Sequence, residues 1–247
     1  MAQATPAATG APTVVLVHGA FADASGWAGV ISRLQAEGIN VMAPANPLRS
    51  VSGDAAYIAS VVNQIPGPVL LVGHSYGGVV ISNASPQAAN VVGLVYVCAF
   101  IPDEGEALQS LAEQSTDGQL GPALRPAQYP TGEGQEPGVE LYIDPALFHE
   151  VFCADLPAEQ AAIMAVSQRP GSAAGFGEPS GPVGWKTLPS WALISPHDVT
   201  IGPSGERFMA ERAGAVIVEI DASHVAMISQ PQATTDLILT ALDAVGE

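Results

Sequence analysis

Six residues at positions 73–78, Gly-His-Ser-Tyr-Gly-Gly, constrain the fold of this chain more than any other feature. An apolar run at 69–72 precedes them, and a second apolar run at 79–81 follows them. This pattern predicts a strand, a sharp turn and a helix, with Ser75 at the apex of the turn. The glycines suit such a turn because the strand and the helix approach too closely there for larger side chains. The turn would expose the Ser75 hydroxyl and aim free N–H groups of the helix at a bound carbonyl group, so Ser75 is a candidate nucleophile.

Apolar runs alternate with stretches of helical periodicity over most of the chain. The runs that predict strands lie at 13–17, 39–43, 69–72, 91–97, 191–194 and 216–220. Because nearly every run is apolar throughout, the pattern favours a parallel sheet that is covered by helices on both faces. We therefore expect an α/β fold with a mostly parallel sheet of about six strands.

This alternation is interrupted between Asp103 and Lys186. The interrupted stretch holds many Pro and Gly residues and no convincing strand, and it suggests helices near 145–153 and 158–168, with a loop over 118–138. We interpret 103–186 as a helical lid inserted into a core formed by residues 13–102 and 187–247. Residues 1–12 are rich in Ala, Thr and Pro and predict a flexible tail.

The charge of the chain narrows the classes of partner. The formal net charge is −17, and only seven side chains are Lys or Arg. Nucleic acids need basic clusters, so we expect no nucleic-acid partner. Polyanionic substrates would be repelled, whereas neutral or cationic small molecules would not. No apolar stretch reaches the roughly 18 residues of a membrane span, so we expect no membrane partner.

The sequence offers weaker indications of compartment and assembly. Residues 1–12 lack the basic and apolar regions of an intact signal peptide, which favours a cytoplasmic protein. A tail left after removal of an export signal would look the same, so export stays open. Oligomeric state is equally open between a monomer and a homodimer.

Neither the cysteines nor the histidines are spaced as metal ligands usually are. Cys98 lies in an apolar run, which predicts a small buried hydrophobic residue, and Cys153 is far from it in the sequence. A disulfide between them is left open. None of the five histidines has the spacing of a zinc pair, so we expect neither a metal nor another cofactor.

Two strands after the lid end in the residues that a serine nucleophile would need. The run at 191–194 leads to Asp198, and the run at 216–220 leads to His224. The carboxyl ends of parallel strands meet at one edge of a sheet, so these side chains can converge on Ser75. We predict that His224 is the base that removes the Ser75 proton and that Asp198 orients its ring.

Other residues could take these roles. His197 is adjacent to Asp198 and is the main rival for the base. Asp103 follows the fourth strand and is the alternative acid, whereas Asp221 is so close in sequence to His224 that a turn role suits it better.

The end of the first strand predicts the rest of the site. Backbone N–H groups in the stretch 18–21 can face the turn at Ser75, so we assign an oxyanion hole to the N–H groups of Ala20 and Tyr76. Phe21 is a candidate pocket wall beside them. Within the lid, Phe148 and Phe152 are the apolar residues that we expect to contact the substrate.

Three segments resemble motifs of the α/β-hydrolase superfamily, and the chain as a whole resembles that superfamily from Thr13 to Val245. They are Val-His-Gly-Ala-Phe at 17–21, Gly-His-Ser-Tyr-Gly-Gly at 73–78 and Ala-Ser-His at 222–224. More narrowly, the chain resembles compact lidded serine esterases related to methyl-ester esterases and hydroxynitrile lyases. The resemblance implies a triad of Ser75, Asp198 and His224 and the hydrolysis of esters.

Departures from this family narrow the expected reaction. Hydroxynitrile lyases of this type carry a lysine beside the catalytic histidine, but Val225 follows His224 here and the only lysine is Lys186. We therefore expect a hydrolase that cleaves small neutral or apolar carboxylic esters through an acyl-serine intermediate. Lactone, amide and C–C bond hydrolysis use the same triad, and a non-enzymatic small-molecule receptor on this fold is a further alternative.

Overall fold

A computed structural model describes residue 10 and residues 12–246 of the chain. Nearly all of the tail predicted at residues 1–12 lies outside these described residues. The strands are β1 (Thr13–Val17), β2 (Asn40–Met42), β3 (Val69–Ser75), β4 (Val91–Ala99), β5 (Leu124–Tyr129), β6 (Gly138–Ile143), β7 (Gly171–Ser172), β8 (Ser190–Ile194) and β9 (Val216–Glu219).

Six of these strands form one parallel sheet in the order β2-β1-β3-β4-β8-β9. The prediction of an α/β fold with about six parallel strands is confirmed. Every residue of the central strand β3 is buried, which explains why its sequence is apolar on both faces. The edge strands β2 and β9 are mostly exposed or half-buried.

Helices cover both faces of this sheet. The helices of the described residues, five of which lie in the segment between β4 and β8, are α1 (Ala28–Ala36), α2 (Val51–Val62), α3 (Tyr76–Ala84), α4 (Leu108–Gln114), α5 (Leu120–Ala123), α6 (Phe148–Phe152), α7 (Ala158–Val166), α8 (Ala173–Gly177), α9 (Pro203–Arg212), α10 (Ala226–Ser229) and α11 (Pro231–Gly246). Local sequence sets several of their ends. Ser50 caps α2 by accepting a hydrogen bond from the Gly53 N–H, and Pro203 opens α9 after Gly202, whose φ is +93°. None of the described helices has the length and apolar character needed to cross a membrane.

The segment between β4 and β8 differs from its prediction. Helices occur near both predicted positions, as α6 and α7, but the segment also contains an antiparallel sheet in the order β5-β6-β7. The loop predicted over 118–138 is therefore wrong, because α5 and β5 lie within it. Strand β5 contains Pro126 and is largely exposed, so its sequence carries little strand signal; its pairing with β6 along the whole strand makes it a strand.

The carboxyl ends of the parallel strands come together at one edge of the main sheet. Strand β3 runs directly into α3 through Ser75, and β8 and β9 are neighbours whose following loops carry Asp198 and His224. Residues 103–186, the inserted segment, contact the loop after β8, where the Gln119 N–H donates to the carbonyl of Val199 at 2.6 Å. This edge is where the fold collects the residues that the sequence singled out.

Candidate active site

Ser75 occupies a strained turn between β3 and α3. Its φ and ψ are +55° and −123°, in the region that side chains other than glycine rarely adopt. The glycines around it are required by close contacts. A Cβ atom on Gly73 would lie 2.6 Å from the carbonyl oxygen of Gly77, and a Cβ on Gly77 would clash with the carbonyl oxygen of Val17. Strain of this kind is maintained by surrounding packing and is common where a side chain must be presented for chemistry.

Asp198 and His224 form a fully buried pair. Nδ1 of His224 donates a hydrogen bond to Oδ2 of Asp198 at 2.6 Å. The other oxygen of Asp198 accepts hydrogen bonds from the N–H groups of Thr200 and Ile201, at 2.8 and 3.0 Å. Burial alone would raise the pKa of Asp198, but the neighbouring His224 and these donors hold that pKa below its usual value. Nε2 of His224 is buried and has no hydrogen-bond partner among the described residues, so it is free to act on another group.

The backbone of His224 is held by a residue that the sequence did not assign to this task. His74 Nε2–H donates to the carbonyl oxygen of His224 at 3.0 Å, and the two rings are 4.7 Å apart. Burial, with the neighbouring His224, lowers the pKa of His74 well below its usual value. His74 is therefore a neutral donor that connects the turn at Ser75 to the loop of the candidate base.

Asp155 holds the same loop from the inserted segment. Its Oδ2 accepts a hydrogen bond from the N–H of Ser223 at 2.9 Å, and its other oxygen accepts from the Ser223 hydroxyl. Nothing in the sequence around Asp155 indicated this contact, because it joins residues that are far apart in the chain.

The loop at 18–21, which carries one predicted oxyanion-hole donor, packs against the turn at Ser75, which is followed by the other. Gly19 packs so tightly on the turn that an added Cβ would lie 2.7 Å from the Cβ of Ser75. The N–H groups of Ala20 and Tyr76 donate no hydrogen bond to any other described residue. The next N–H, that of Phe21, donates to the carbonyl of Arg169 at 2.8 Å and ties this loop to the inserted segment.

His18 braces the same loop. Its Nε2 accepts a hydrogen bond from the N–H of Asn46 at 2.9 Å, and the amide of Asn46 donates to the His18 carbonyl at 3.0 Å. Burial lowers the pKa of His18, which keeps the ring neutral in this role.

The three phenylalanines predicted as pocket walls form part of an aromatic cluster at the candidate base. Phe152 lies 5.0 Å from the His224 ring, 5.0 Å from Phe148 and 6.2 Å from Phe21, measured between ring centroids. Phe148 and Phe152 are fully buried, so they support the site from behind more than they line an open pocket.

A cavity of about 520 Å³ lies within the inserted segment and reaches Phe176. Phe176 is 5.7 Å from Tyr76 and 6.2 Å from Phe21 between ring centroids, which places one wall of this cavity next to the candidate oxyanion hole. Leu108, Leu120 and Leu141 are among its other lining residues. Phe176 is not among the predicted site residues, because it lies in a Gly-rich stretch with no helical pattern.

The rival residues lie elsewhere. His197 and Asp221 have side chains that are 68% and 89% exposed, and they pair with each other at 3.0 Å. Asp103 forms an ion pair with Lys186 near the surface. The remaining histidine, His149, donates from Nε2 to the carbonyl of Leu156 at 2.9 Å.

Both cysteines are free thiols, so the open question of a disulfide is settled. Cys98 is fully buried, as predicted, and burial raises its pKa well above the usual value.

Sequence and structure comparisons place the chain in a family. The model of the alpha/beta hydrolase family matches residues 14–237. The chain belongs to this family, and the predicted fold and the predicted enzyme class, an ester hydrolase, are confirmed.

Individual relatives have low sequence identity to this chain. A pyrethroid hydrolase from Sphingobium wenxiniae is 26% identical over 252 residues, covering 95% of this chain and 89% of the relative. A carbendazim hydrolyzing esterase from a Nocardioides strain is 31% identical over 110 residues, and that match spans 39% of this chain and 46% of the esterase, less than half its length. Among solved structures, polyneuridine aldehyde esterase superimposes with a TM-score of 0.78 at 21% identity, over 93% of this chain and 98% of that one.

Proposed function

We propose that this protein is a serine esterase that hydrolyses small neutral or apolar carboxylic esters through an acyl-Ser75 intermediate. The observation that carries the proposal is the buried His224–Asp198 pair at 2.6 Å, at the sheet edge where Ser75 sits in a strained turn. A hydroxyl becomes a useful nucleophile only when a positioned base accepts its proton.

The proposed reaction has two half-reactions. His224 Nε2 accepts the hydroxyl proton as Ser75 Oγ attacks the ester carbonyl carbon, and the N–H groups of Ala20 and Tyr76 stabilise the resulting oxyanion. The tetrahedral intermediate collapses when the C–O bond to the alcohol breaks and His224 returns the proton to the leaving oxygen. Water then attacks the acyl carbon as His224 accepts its proton, the bond from that carbon to Ser75 Oγ breaks, and His224 returns the proton to Ser75 as the carboxylic acid leaves. Asp198 keeps the His224 ring in the tautomer that leaves Nε2 unprotonated for the attack.

The substrate class rests on charge and on the lining of the site. A net charge of −17 repels polyanions, and the apolar residues that line the cavity at Phe176 favour apolar acyl or alcohol groups. The names of the relatives add candidates, since one is a pyrethroid hydrolase and another a carbendazim hydrolyzing esterase. A small-molecule ester is thus the partner that we propose.

A fluorophosphonate probe with peptide mass spectrometry tests the nucleophile. We expect the label on Ser75 and turnover of p-nitrophenyl acetate that falls by at least about 10³-fold in Ser75→Ala. Ser60→Ala, an exposed serine whose hydroxyl donates only to the Tyr57 carbonyl, is the matched control and should keep full activity. Label on another serine, or equal turnover in Ser75→Ala, would contradict the proposal.

A substrate panel tests the bond that is cleaved. Short-chain esters, a lactone, an anilide, a pyrethroid and carbendazim should be compared by kcat/KM, and we expect the neutral esters to be the best substrates. Faster cleavage of the lactone or the anilide would assign one of the alternative reactions. A folded protein that binds these compounds without turnover would support the receptor alternative.

A further inference from the structure

A second buried carboxyl group, that of Glu206, lies directly behind the candidate triad and has no part in the reaction described above. Glu206 lies on the inner side of helix α9 and is 2% exposed. One carboxyl oxygen of Glu206, one of Asp198 and Sγ of Cys98 all lie within 4.8 Å of one another. Two carboxylates buried this close together repel each other strongly if both are ionised.

The two carboxyl oxygens of Glu206 differ in their hydrogen-bond partners. Oε2 accepts a hydrogen bond from the N–H of Ser195 at 3.2 Å. Oε1 is buried and has no donor among the described residues. A buried acceptor without a donor is costly, but a proton on Oε1 would turn it into a donor with the Asp198 carboxylate as its acceptor.

Asp198 is the member of the pair that is suited to stay ionised. Its oxygens already accept hydrogen bonds from His224, Thr200 and Ile201. Three donors stabilise a carboxylate and leave no role for a proton on Asp198 itself. A further donor from Glu206 would complete its shell.

Among the described residues, no basic side chain forms an ion pair with Glu206. Asp198 and Cys98 are its close titratable neighbours in the part of the chain that the structure describes, and Asp117 adds a further negative charge in the vicinity. The two arginines of α9, Arg207 and Arg212, donate instead to the carboxylates of other residues. Burial above all, with repulsion from Asp198, raises the pKa of Glu206 well above its ordinary value.

We propose that Glu206 is a neutral carboxylic acid that donates a hydrogen bond to the Asp198 carboxylate and thereby acts as a positioning residue for the candidate triad. The proposal rests on the proposed function, because Asp198 matters to catalysis only if His224 is the base. The pair then holds one negative charge, fixed between the loop after β8 and helix α9. That charge faces the His224 ring in a single orientation.

Two variants separate this arrangement from an ionised Glu206. In Glu206→Gln, the amide oxygen can still accept from the Ser195 N–H and the amide nitrogen can still donate to Asp198. We expect kcat/KM for p-nitrophenyl acetate within about twofold of the parent and an acid limb of the pH profile within about 0.3 pH unit. An ionised Glu206 in the parent protein predicts otherwise. Its removal would take a negative charge away from the imidazolium and move the acid limb about one pH unit or more downwards, which would overturn the proposal.

Glu206→Leu removes the donor and replaces it with an apolar side chain of similar size. The Asp198 carboxylate then no longer accepts a hydrogen bond from residue 206, so its negative charge stabilises the His224 imidazolium more strongly. We expect kcat/KM to fall by about tenfold and the acid limb to move to higher pH. A profile unchanged from the parent would overturn the positioning role.

A stability measurement gives a readout that is independent of turnover. A folded-state pKa raised above the unfolded value of about 4.5 means that stability is fully present below that value and is lost as pH rises through the folded pKa. The free energy of unfolding of the parent protein, measured in urea, should therefore fall as pH rises above about 4.5, and it should fall less in Glu206→Gln.

The two proposals fail differently. Absence of label on Ser75 in the parent protein refutes the proposed function, whereas the unfolding curves still report on Glu206. Equal pH dependence of stability in the parent protein and Glu206→Gln refutes the neutral acid even if Ser75 is labelled.

Discussion

Nδ1 of His224 lies 2.6 Å from Oδ2 of Asp198, and neither residue is accessible to solvent. The two residues follow adjacent parallel strands, β8 and β9, so the sheet itself sets their separation. A hydrogen bond that is shielded from water fixes the tautomer of the ring as well as its direction. Its removal is therefore a sensitive test of the candidate site.

Asp198→Asn should reduce kcat by on the order of 10³ to 10⁴ with little loss of folded protein. The amide would be held by the Thr200 and Ile201 N–H groups through its oxygen, which turns its NH₂ towards His224 and favours the wrong tautomer of the ring. Steady-state kinetics with p-nitrophenyl acetate measures the loss. Asp103→Asn, at the rival aspartate, is the control and should stay within about twofold; the opposite ranking would transfer the role to Asp103.

Gly19→Ala should lower kcat by about 10²-fold, because the loop that carries the Ala20 N–H would have to move away from Ser75. The new Cβ would lie 2.7 Å from the Ser75 Cβ and 2.9 Å from the His74 carbonyl oxygen. Gly246→Ala, at the end of α11, provides a control, since no described residue lies within 4 Å of its Cβ and its φ is not positive. Circular dichroism should show both variants folded. Full activity in Gly19→Ala would argue against an oxyanion hole at Ala20.

Buried neutral histidines should make the protein sensitive to acid. The pKa of His74 is lowered well below 6.5 by burial, so the folded protein resists the proton that the unfolded chain takes up. Stability is thus present above about pH 6.5 and is lost as pH falls towards the folded pKa. Urea unfolding at pH 7 and pH 5 should show a smaller loss in His74→Gln, which keeps a donor for the His224 carbonyl. His197→Gln, at a histidine whose side chain is 68% exposed, should lose as much stability between pH 7 and pH 5 as the parent protein does. An equal loss of stability in all three proteins would exclude His74 as the cause.

Phe152→Ala should destabilise the protein by about 3–5 kcal/mol, because it removes a fully buried ring. Activity should fall as well, since that ring lies 5.0 Å from the ring of His224. Chemical denaturation and kinetics at a temperature where the variant is folded would separate the two effects. Val166→Ala, at a residue 82% exposed on helix α7, should change stability by no more than about 0.5 kcal/mol. A loss below about 1 kcal/mol in Phe152→Ala would mean that the aromatic cluster can repack.

Local sequence identified the turn at Ser75 because its requirements are local. Glycine is required at 73 because a Cβ there would clash with Gly77 in the same turn, and the apolar runs on both sides define the strand and the helix. The six parallel strands follow from the same kind of pattern, since a strand buried on both faces must be apolar throughout. Asp198 and His224 could be predicted because the ends of parallel strands share one edge.

Strand β5 shows where local pattern fails. Its exposed side chains and Pro126 carry little signal, and only pairing with β6 makes it a strand. The contacts of Asp155 with Ser223 and of His74 with His224 are decided in the same way, by chain segments that meet only after folding.

The sequence by itself determined which side chains can take part in catalysis and which strand each of them follows. Tertiary structure alone decided which candidate is buried, as for Asp198 against Asp103 and for His224 against His197. It also placed Glu206 against Asp198. The reason is physical: charge, burial and hydrogen-bond geometry depend on neighbours in space, and the packing of α9 and the inserted segment against the sheet supplies those neighbours.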